Sequence, residues 1–325
     1  MNADFLAAMP GLPGFIWRPL EPADAPAFHA LQTACAAYDH LPAPQSLEAL
    51  RVEMEKSGQA LHNSTLCAAR GDGVLAAAAW ITFDDSLHHE LRAYLAGWVH
   101  PAHRERGVLR SLISWMEDRA DECLAQYPDK RPRVLRLDVE HQDEQLFAVY
   151  EVLGYHLTVT EETMRRALTG PLPGSPLPAG IRLFPYSPER AEHFHSTYLA
   201  AFRDRPGFPA WELETWRAVY TGEPGFSPEL SLLALDGAVG AAYAVSAVKG
   251  QTGWVLQMGV SLNYRRRGLG AGLLASLLRR FQAAGLVEAA LDVNLNNEGA
   301  RKLYARLGFV PAGVSSSFRK TLAAG

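Results

Sequence analysis

The sequence predicts an α/β chain (α+β in the looser usage), built as two copies of one domain, each a twisted mixed central sheet flanked by helices. Three observations carry this. The 325 residues suit two domains of ordinary size. The uncharged stretch from Thr169 to Gly180, rich in proline and glycine, reads as an extended connector just past the midpoint. Blocks on its two sides also match in order. Leu137-Asp-Val, Tyr150 and Leu153-Gly-Tyr155 return as Leu291-Asp-Val, Tyr304 and Leu307-Gly-Phe309, at an offset of 154. Val99 to Gly107 matches Val260 to Gly268 at an offset of 161, and Asp72-Gly73 matches Asp236-Gly237 at 164. Offsets drifting in one direction are what changes in loop length produce in a tandem repeat. The expected organisation is 1–168, a connector 169–180, and 181–325.

Within the second repeat each element has its own signal. Leu233–Leu235 and Val239–Val248 flank the Asp236-Gly237 turn and predict a hairpin. Gly253–Val260 reads as a further strand. Leu269, Leu273, Leu274, Leu277, Leu278 and Phe281 recur at helical spacing until Gly285 stops them. Ala289–Val293 is a short strand, and Ala300, Leu303, Tyr304 and Leu307 form one face of a second helix that ends at Gly308. The first repeat shows the same helices through Leu109, Leu112, Ile113 and Met116, then Leu146, Val149, Tyr150 and Leu153.

Composition narrows the class. With 31 basic against 35 acidic residues, net charge −4, the chain has no global pull toward nucleic acid or an anionic membrane. Cys35, Cys67 and Cys123 have neither disulfide-scaffold nor zinc spacing, which points to a reducing compartment, the cytoplasm by default. No basic leader opens the sequence, and its apolar runs are too short to span a membrane. The pairs His88-His89, His100 with His103, and His193 with His195 lack carboxylate partners at metal spacing, so no metal is expected. Neither a Gly-x-Ser-x-Gly elbow nor a Cys/His nucleophile pattern occurs.

The most informative segment is Arg265-Arg266-Arg267-Gly268-Leu269-Gly270-Ala271, between a strand end and a helix start. The first amides of that helix lack internal partners and sit at the positive end of its dipole. Gly268 and Gly270 remove side chains where an anion would touch backbone, and the arginines add charge. This combination reads as a pyrophosphate cradle, or, more plainly, as a glycine turn beside a solvated basic patch. No Gly-Lys-Ser/Thr follows, so it is not a Walker loop, and its glycine spacing does not fit a dinucleotide fingerprint.

Arg265-x-x-Gly268-x-Gly270, followed by Asn297-x-x-Ala300-x-x-Leu303-Tyr304-x-x-x-Gly308-Phe309, resembles the two motifs of the GNAT (GCN5-related) N-acetyltransferase superfamily. The resemblance covers nearly the whole chain. It implies an acyl-CoA co-substrate, most simply acetyl-CoA, splayed between two parallel strands. Its pantetheine would pair with the strand edge at Met258–Val260, and its pyrophosphate would sit on Arg265–Ala271 near Asn297. The resemblance makes Tyr304 the residue that protonates the departing thiolate; helical periodicity alone makes it a core tyrosine. Full transfer from tyrosine to thiolate is uphill by about 2 kcal/mol, so Tyr304 is better described as a positioned donor.

An amine acceptor must also lose a proton. The tandem layout, with Ala201-Phe-Arg-Asp-Arg-Pro206, Trp211 and Trp216, is similar to the mycothiol synthases, a tandem branch of the superfamily. Where that branch has a glutamate early on the Gly253–Val260 strand, this sequence has Trp254, which argues against the same acceptor. The candidate carboxylates are Asp292, Asp204, Glu212 and Glu214, each equally readable as solvated. Arg279-Arg280 reads as a solvated helix face, and Trp211 and Trp216 as core or as an acceptor-pocket wall.

The first repeat keeps Arg104-x-x-Gly107 and Tyr150, but Leu109 replaces the second small residue and Asp143 stands where Asn297 does. Both changes disfavour bound CoA, so the first repeat is expected to be degenerate and the second active. The expected function is an N-acetyltransferase acting on a small primary amine by direct attack, as a monomer or homodimer. The alternative is a non-catalytic acyl-CoA-binding sensor.

Overall fold

The computed structural model describes Met9, 12–85, 90–128, 130–140, 144–172, 174–205, Phe208 and 210–322, the side chains at 105, 106 and 145 excepted. The chain divides into two compact units. The first comprises 1–160 with 315–325, and the second comprises 161–314. Both divisions fall inside strands and not in the proline-rich connector.

In the first unit the order is β1 (Phe15–Arg18), α1 (Ala25–Tyr38), α2 (Leu47–Ser64), β2 (Thr65–Arg70), β3 (Leu75–Asp84), β4 (Leu91–Val99), α3 (Val108–Leu124), β5 (Arg133–Val139) and α4 (Glu144–Val152). Strands β1 to β4 pair antiparallel in sequence order, and β4 pairs β5 in parallel. Helix α3 buries Val108, Leu112, Ile113, Trp115 and Met116 against one sheet face, while α1 and α2 cover the other through Phe28, Leu31, Leu50 and Met54. Leu112, Ile113 and Met116 belong to the stripe the sequence predicts for α3, Val108 and Trp115 join them, and Leu109 is half-buried; with α1 and α2 opposite, the unit is a three-layer sandwich.

The second unit repeats the plan with β7 (Ile181–Pro185), α5 (Ala191–Phe202), α6 (Leu213–Thr221), β8 (Leu232–Asp236), β9 (Val239–Lys249), β10 (Thr252–Val260), α7 (Leu269–Ala283), β11 (Glu288–Asn294) and α8 (Glu298–Arg306). The β8–β9 hairpin turns at Gly237, whose φ of +59° is the left-handed conformation such a turn requires. The connector is packed: Leu172 and Leu177 join the second core, and a Cβ on Gly272 of α7 would come within 2.9 Å of the Pro176 carbonyl oxygen.

Two long strands close the sheets. Residues 161–167 of β6 (His156–Ala167) pair antiparallel with β11 inside the second unit. Residues 316–321 of β12 (Val310–Thr321) pair antiparallel with β5 inside the first. The last strand of each sequence repeat therefore completes the sheet that the other repeat builds. Among the described residues no helix is long and apolar enough to cross a membrane.

Candidate active site

The site begins where two parallel strands part. β10 pairs β11 from Thr252–Glu288 to Val255–Leu291, and there the ladder ends. β10 runs on to Val260 with its hydrogen bonds given to β9. Backbone groups along the facing edge past Val255 have no ladder partner, and Met258 and Val260 lie on that stretch. β4 and β5 part in the same way after Tyr94–Arg136. The two repeats differ in one respect. The register of β10 against β9 slips between Val255 and Gln257, a bulge at Leu256, whereas β4 against β3 is unbroken. The bulge turns two successive residues to one face: Leu256 packs against the aromatic core beneath α5 and α6, and Gln257 accepts a hydrogen bond from Tyr243 there.

Beyond Val260 a short 3-10 turn (Leu262–Tyr264) leads into the arginine–glycine loop. Gly268 caps α7 at φ +77° with no side-chain hydrogen bond to the first-turn amides, and open space faces the position of its missing Cβ. Arg266 also takes a left-handed φ, +61°, a conformation that costs a non-glycine residue about 1–2 kcal/mol. A Cβ on Gly270 would lie 3.4 Å from Val260 Cγ2 and 3.5 Å from Leu303 Cδ2, so glycine here lets the strand end, α7 and α8 meet closely. Leu269 is buried in the core and contributes backbone to the loop. Orphaned amides, a glycine surface and open access are the features an anion cradle needs.

The arginines divide their work. Arg265 turns away from the cradle: Nη1 donates to Asp204 Oδ2 at 2.7 Å, and Nη2 donates to Asp204 Oδ1 at 3.1 Å and to the Ala201 carbonyl at 2.7 Å. Its Nε reaches the Val260 carbonyl at 3.3 Å. Arg266 and Arg267 are exposed beside the loop, with the Arg267 guanidinium 5.7 Å from the Tyr264 ring. Asn297 is the N-cap of α8, its Oδ1 accepting from the Ala300 amide at 3.1 Å.

Tyr304 is 9 % exposed, packed in the second core beside Phe309 with ring centroids 6.0 Å apart. Burial pushes its hydroxyl up to about 12, so it keeps its proton throughout the neutral range. The carboxylates proposed from sequence are bonded to other groups or exposed. Asp204 is held below the usual carboxylate range by Arg265, Glu214 pairs with Arg217 at 3.2 Å, and Asp292 accepts from Thr163 at 2.6 Å. Glu212 is exposed just before α6. Trp254 lies between two cations, Arg165 and Lys249, each 5.6 Å from its ring. Trp216 is fully buried with Phe194, Tyr198 and Tyr243, and Trp211 packs partly buried against that cluster. His195 bonds the Trp211 carbonyl at 2.7 Å, and His100 Nδ1 accepts from the Ala102 amide. His88 and His89 lie outside the described residues.

Sequence reading missed the Tyr243–Gln257 pair. A lone glutamine in an otherwise apolar strand was the available signal. In the first repeat, Arg104 grips Asp39 through two bonds of 2.6 and 2.7 Å, and Gly107 caps α3 at φ +69°. Leu109 packs half-buried on the first core, its Cδ1 3.8 Å from where a Cβ of Gly97 would sit. Tyr150 is buried among Tyr155 and Phe318. Asp143 lies outside the described residues.

Comparison with known proteins fits this geometry. The profile of the Acetyltransferase (GNAT) family matches residues 27–155 and again 191–309. A mycothiol acetyltransferase of Geodermatophilus obscurus is 28% identical over 93% of this chain and 96% of its own length. One from Clavibacter michiganensis subsp. michiganensis is 31% identical over 68% of this chain and 70% of its own. One from Thermobispora bispora is 33% identical, but over only 48% of this chain and 56% of its own. Among solved structures, a GCN5-related N-acetyltransferase from Sphaerobacter thermophilus superposes with a TM-score of 0.78 at 25% identity, covering 97% of this chain and 98% of that one. A tandem GNAT protein from the clavulanic acid biosynthesis pathway shares the fold, with a TM-score of 0.63 at 16% identity over 96% of this chain and 99% of that one.

Proposed function

Because the chain belongs to the acetyltransferase (GNAT) family, we propose that it transfers an acyl group, acetyl in the simplest case, from an acyl-CoA to the primary amine of a small molecule. The chemistry is assigned to the second repeat. One observation carries that assignment: the bulge beside the strand splay occurs in β10 and has no counterpart in β4. The three cysteines are free thiols, in keeping with work in the cytoplasm.

Acetyl-CoA supplies an activated thioester when bound. The residues present fit it: uncapped amides and Cβ-free glycines at the start of α7 suit a diphosphate, and the unpaired edge past Val255 suits an extended amide chain. Arg266 and Arg267 add charge, while Arg265 fixes the loop against α5. Tyr304 keeps a proton on its hydroxyl, ready to hydrogen-bond the departing sulfur. The candidate carboxylates are tied to other partners or solvated, so the acceptor enters as the neutral amine and attacks directly. The relatives' name places a mycothiol-related amine on the list of acceptors to try. Trp254 between two cations supports a different one.

The test is turnover of acetyl-CoA against an amine panel, with calorimetric stoichiometry for acetyl-CoA. One site per chain, lost in Gly270→Leu, together with turnover that slows in Tyr304→Phe at unchanged cofactor affinity, is the expected result. Binding without turnover on any amine would make the chain a sensor. Two equal sites would overturn the assignment to the second repeat.

A further inference from the structure

We propose that the first repeat works in the second repeat's site: Glu162 and Arg166, on the strand it lends to the second sheet, are positioning residues that hold α8 and thereby aim Tyr304. The proposal rests on the donor role given to Tyr304 above.

α8 needs outside support. It has nine residues, too few for a stable helix alone, and Tyr304 is the side chain it buries. β6 supplies the support at both ends. Glu162 is buried, and both of its oxygens are taken by Arg301: Nε donates to Oε2 at 3.0 Å and Nη2 to Oε1 at 3.2 Å. Four residues along the same face of β6, Arg166 Nη1 donates to the Leu307 carbonyl, one of the acceptors a helix end leaves without a partner. A Cβ on Gly308 would collide with that guanidinium, so the glycine after the helix makes room for it. Arg301, Tyr304 and Leu307 recur at a step of three, so the two anchors bracket the tyrosine. Met164, between the anchors on the strand, packs into the second core with Tyr304.

The first unit holds the matching helix differently. By strand register and the offset of 154, Ser316, Phe318 and Lys320 stand where Glu162, Met164 and Arg166 do, and Phe147 where Arg301 does. Ser316 bonds Thr160 at 3.0 Å, and Lys320 donates to Glu117 of α3 at 2.7 Å. α4 is met by an apolar stack, Phe147 on Phe318, with ring centroids 4.9 Å apart. The polar clamp therefore accompanies the repeat with the bulged strand. An apolar stack supplies cohesion, whereas charge-assisted bonds at both ends also fix where the helix sits along the strand. That matters at a reacting group, where a misplacement of about 1 Å can cost about 100-fold in rate.

The test uses the full chain, with steady-state turnover of acetyl-CoA on the fastest amine of the panel and hydrogen exchange of the α8 amides, which needs no turnover. Glu162→Gln and Arg166→Met should each lower kcat at least fivefold, leave acetyl-CoA affinity within twofold, and speed exchange at 301–306 at least tenfold while α7 is unchanged. Arg166→Lys, which keeps a cation for the carbonyl, should retain at least half of kcat. In a Tyr304→Phe background the first two changes should lower kcat less than twofold further, because they act through a group already gone. Unchanged exchange in both variants overturns the clamp, with or without turnover. Full additivity with Tyr304→Phe overturns the positioning role and leaves a structural one. A loss of kcat in Tyr304→Phe with none in either clamp variant overturns this proposal alone; no loss in Tyr304→Phe overturns the reading on which it rests as well.

Discussion

Arg265 and Asp204 meet through two parallel hydrogen bonds of 2.7 and 3.1 Å, and the same guanidinium reaches the Ala201 carbonyl at the end of α5. The first repeat has the same buckle at Arg104 and Asp39, closed further by the Tyr38 ring 4.8 Å from the guanidinium. In both repeats the first arginine of the motif thus ties the helix before the sheet to the end of the splayed strand. Its neighbours at 266 and 267 are left exposed beside the loop.

Separating these roles gives the first prediction. Arg265→Ala should lower the melting temperature and raise the KM for acetyl-CoA together, because the loop loses its anchor. The double variant Arg266→Ala/Arg267→Ala should raise KM several-fold, with weaker salt dependence, and leave the melting temperature within about 2 °C, the scale of small surface effects. Equal melting temperatures for the two proteins would refute the division.

Gly259 tests how tightly α5 lies on β10. A Cβ there would come within 2.7 Å of Ala201 Cβ and 2.9 Å of Tyr243 Cε1. Gly259→Val should cost about 1–3 kcal/mol by overpacking, read from denaturant midpoints. Gly268→Ala meets open space but a φ of +77°, and should cost only about 1 kcal/mol.

The buried Tyr304 hydroxyl, raised to about 12, fixes the shape of the pH profile. A group whose pKa is raised stays protonated until the pH approaches that value, so kcat should show no alkaline fall assignable to Tyr304 below about pH 11. Tyr304→Phe should lower kcat about 100-fold, the lower end of general-acid effects, with acetyl-CoA affinity unchanged. Since the acceptor enters neutral, kcat/KM for the amine should rise tenfold per pH unit up to the amine's own pKa. A plateau near pH 7 would reveal a protein base.

Asp24 gives a stability switch in the first unit. Burial pushes its carboxyl up, but the hydrogen bonds from Arg18 at 2.6 and 2.7 Å, with the Glu21 amide, outweigh this and hold it below its ordinary value. A depressed native pKa contributes stability that is complete above the unfolded pKa near 3.9 and is lost as pH falls through the native value. Asp24→Asn should therefore be destabilised by about 2 kcal/mol at pH 7. Urea melts of variant and parent should converge as the pH falls through that depressed native value. A gap that persists there would mean the carboxylate charge is not its source.

Much of the framework could be read from local signals. Asp236-Gly237 marks a real hairpin, Gly285 and Gly308 follow real helix ends, and the arginine–glycine loop does open a helix with a left-handed glycine. These features were legible because each depends on residues within a few positions of one another. The Arg265–Asp204 bond joins residues far apart in the chain, so a carboxylate that looked available as a base is already spent. The bulge at Leu256 was invisible because Gly253 to Val260 reads as one continuous strand, with Gln257 its single polar interruption. Strand pairing across repeats was hidden for a related reason: the alternation within β6 and β12 is the same whichever neighbour they take.

That pairing has a bearing on how the protein is made. β5 leaves the ribosome well before its antiparallel partner at 316–321 is synthesised. With roughly 180 residues between them, and translation at about 5–20 residues per second, the nascent first sheet waits roughly 10–40 s for that strand. During that interval Val134 to Val139 presents bare hydrogen-bonding groups at an apolar edge, the kind of surface that chaperones shield and neighbouring nascent chains invade. Ribosome spacing, and not only native stability, thereby becomes a determinant of yield.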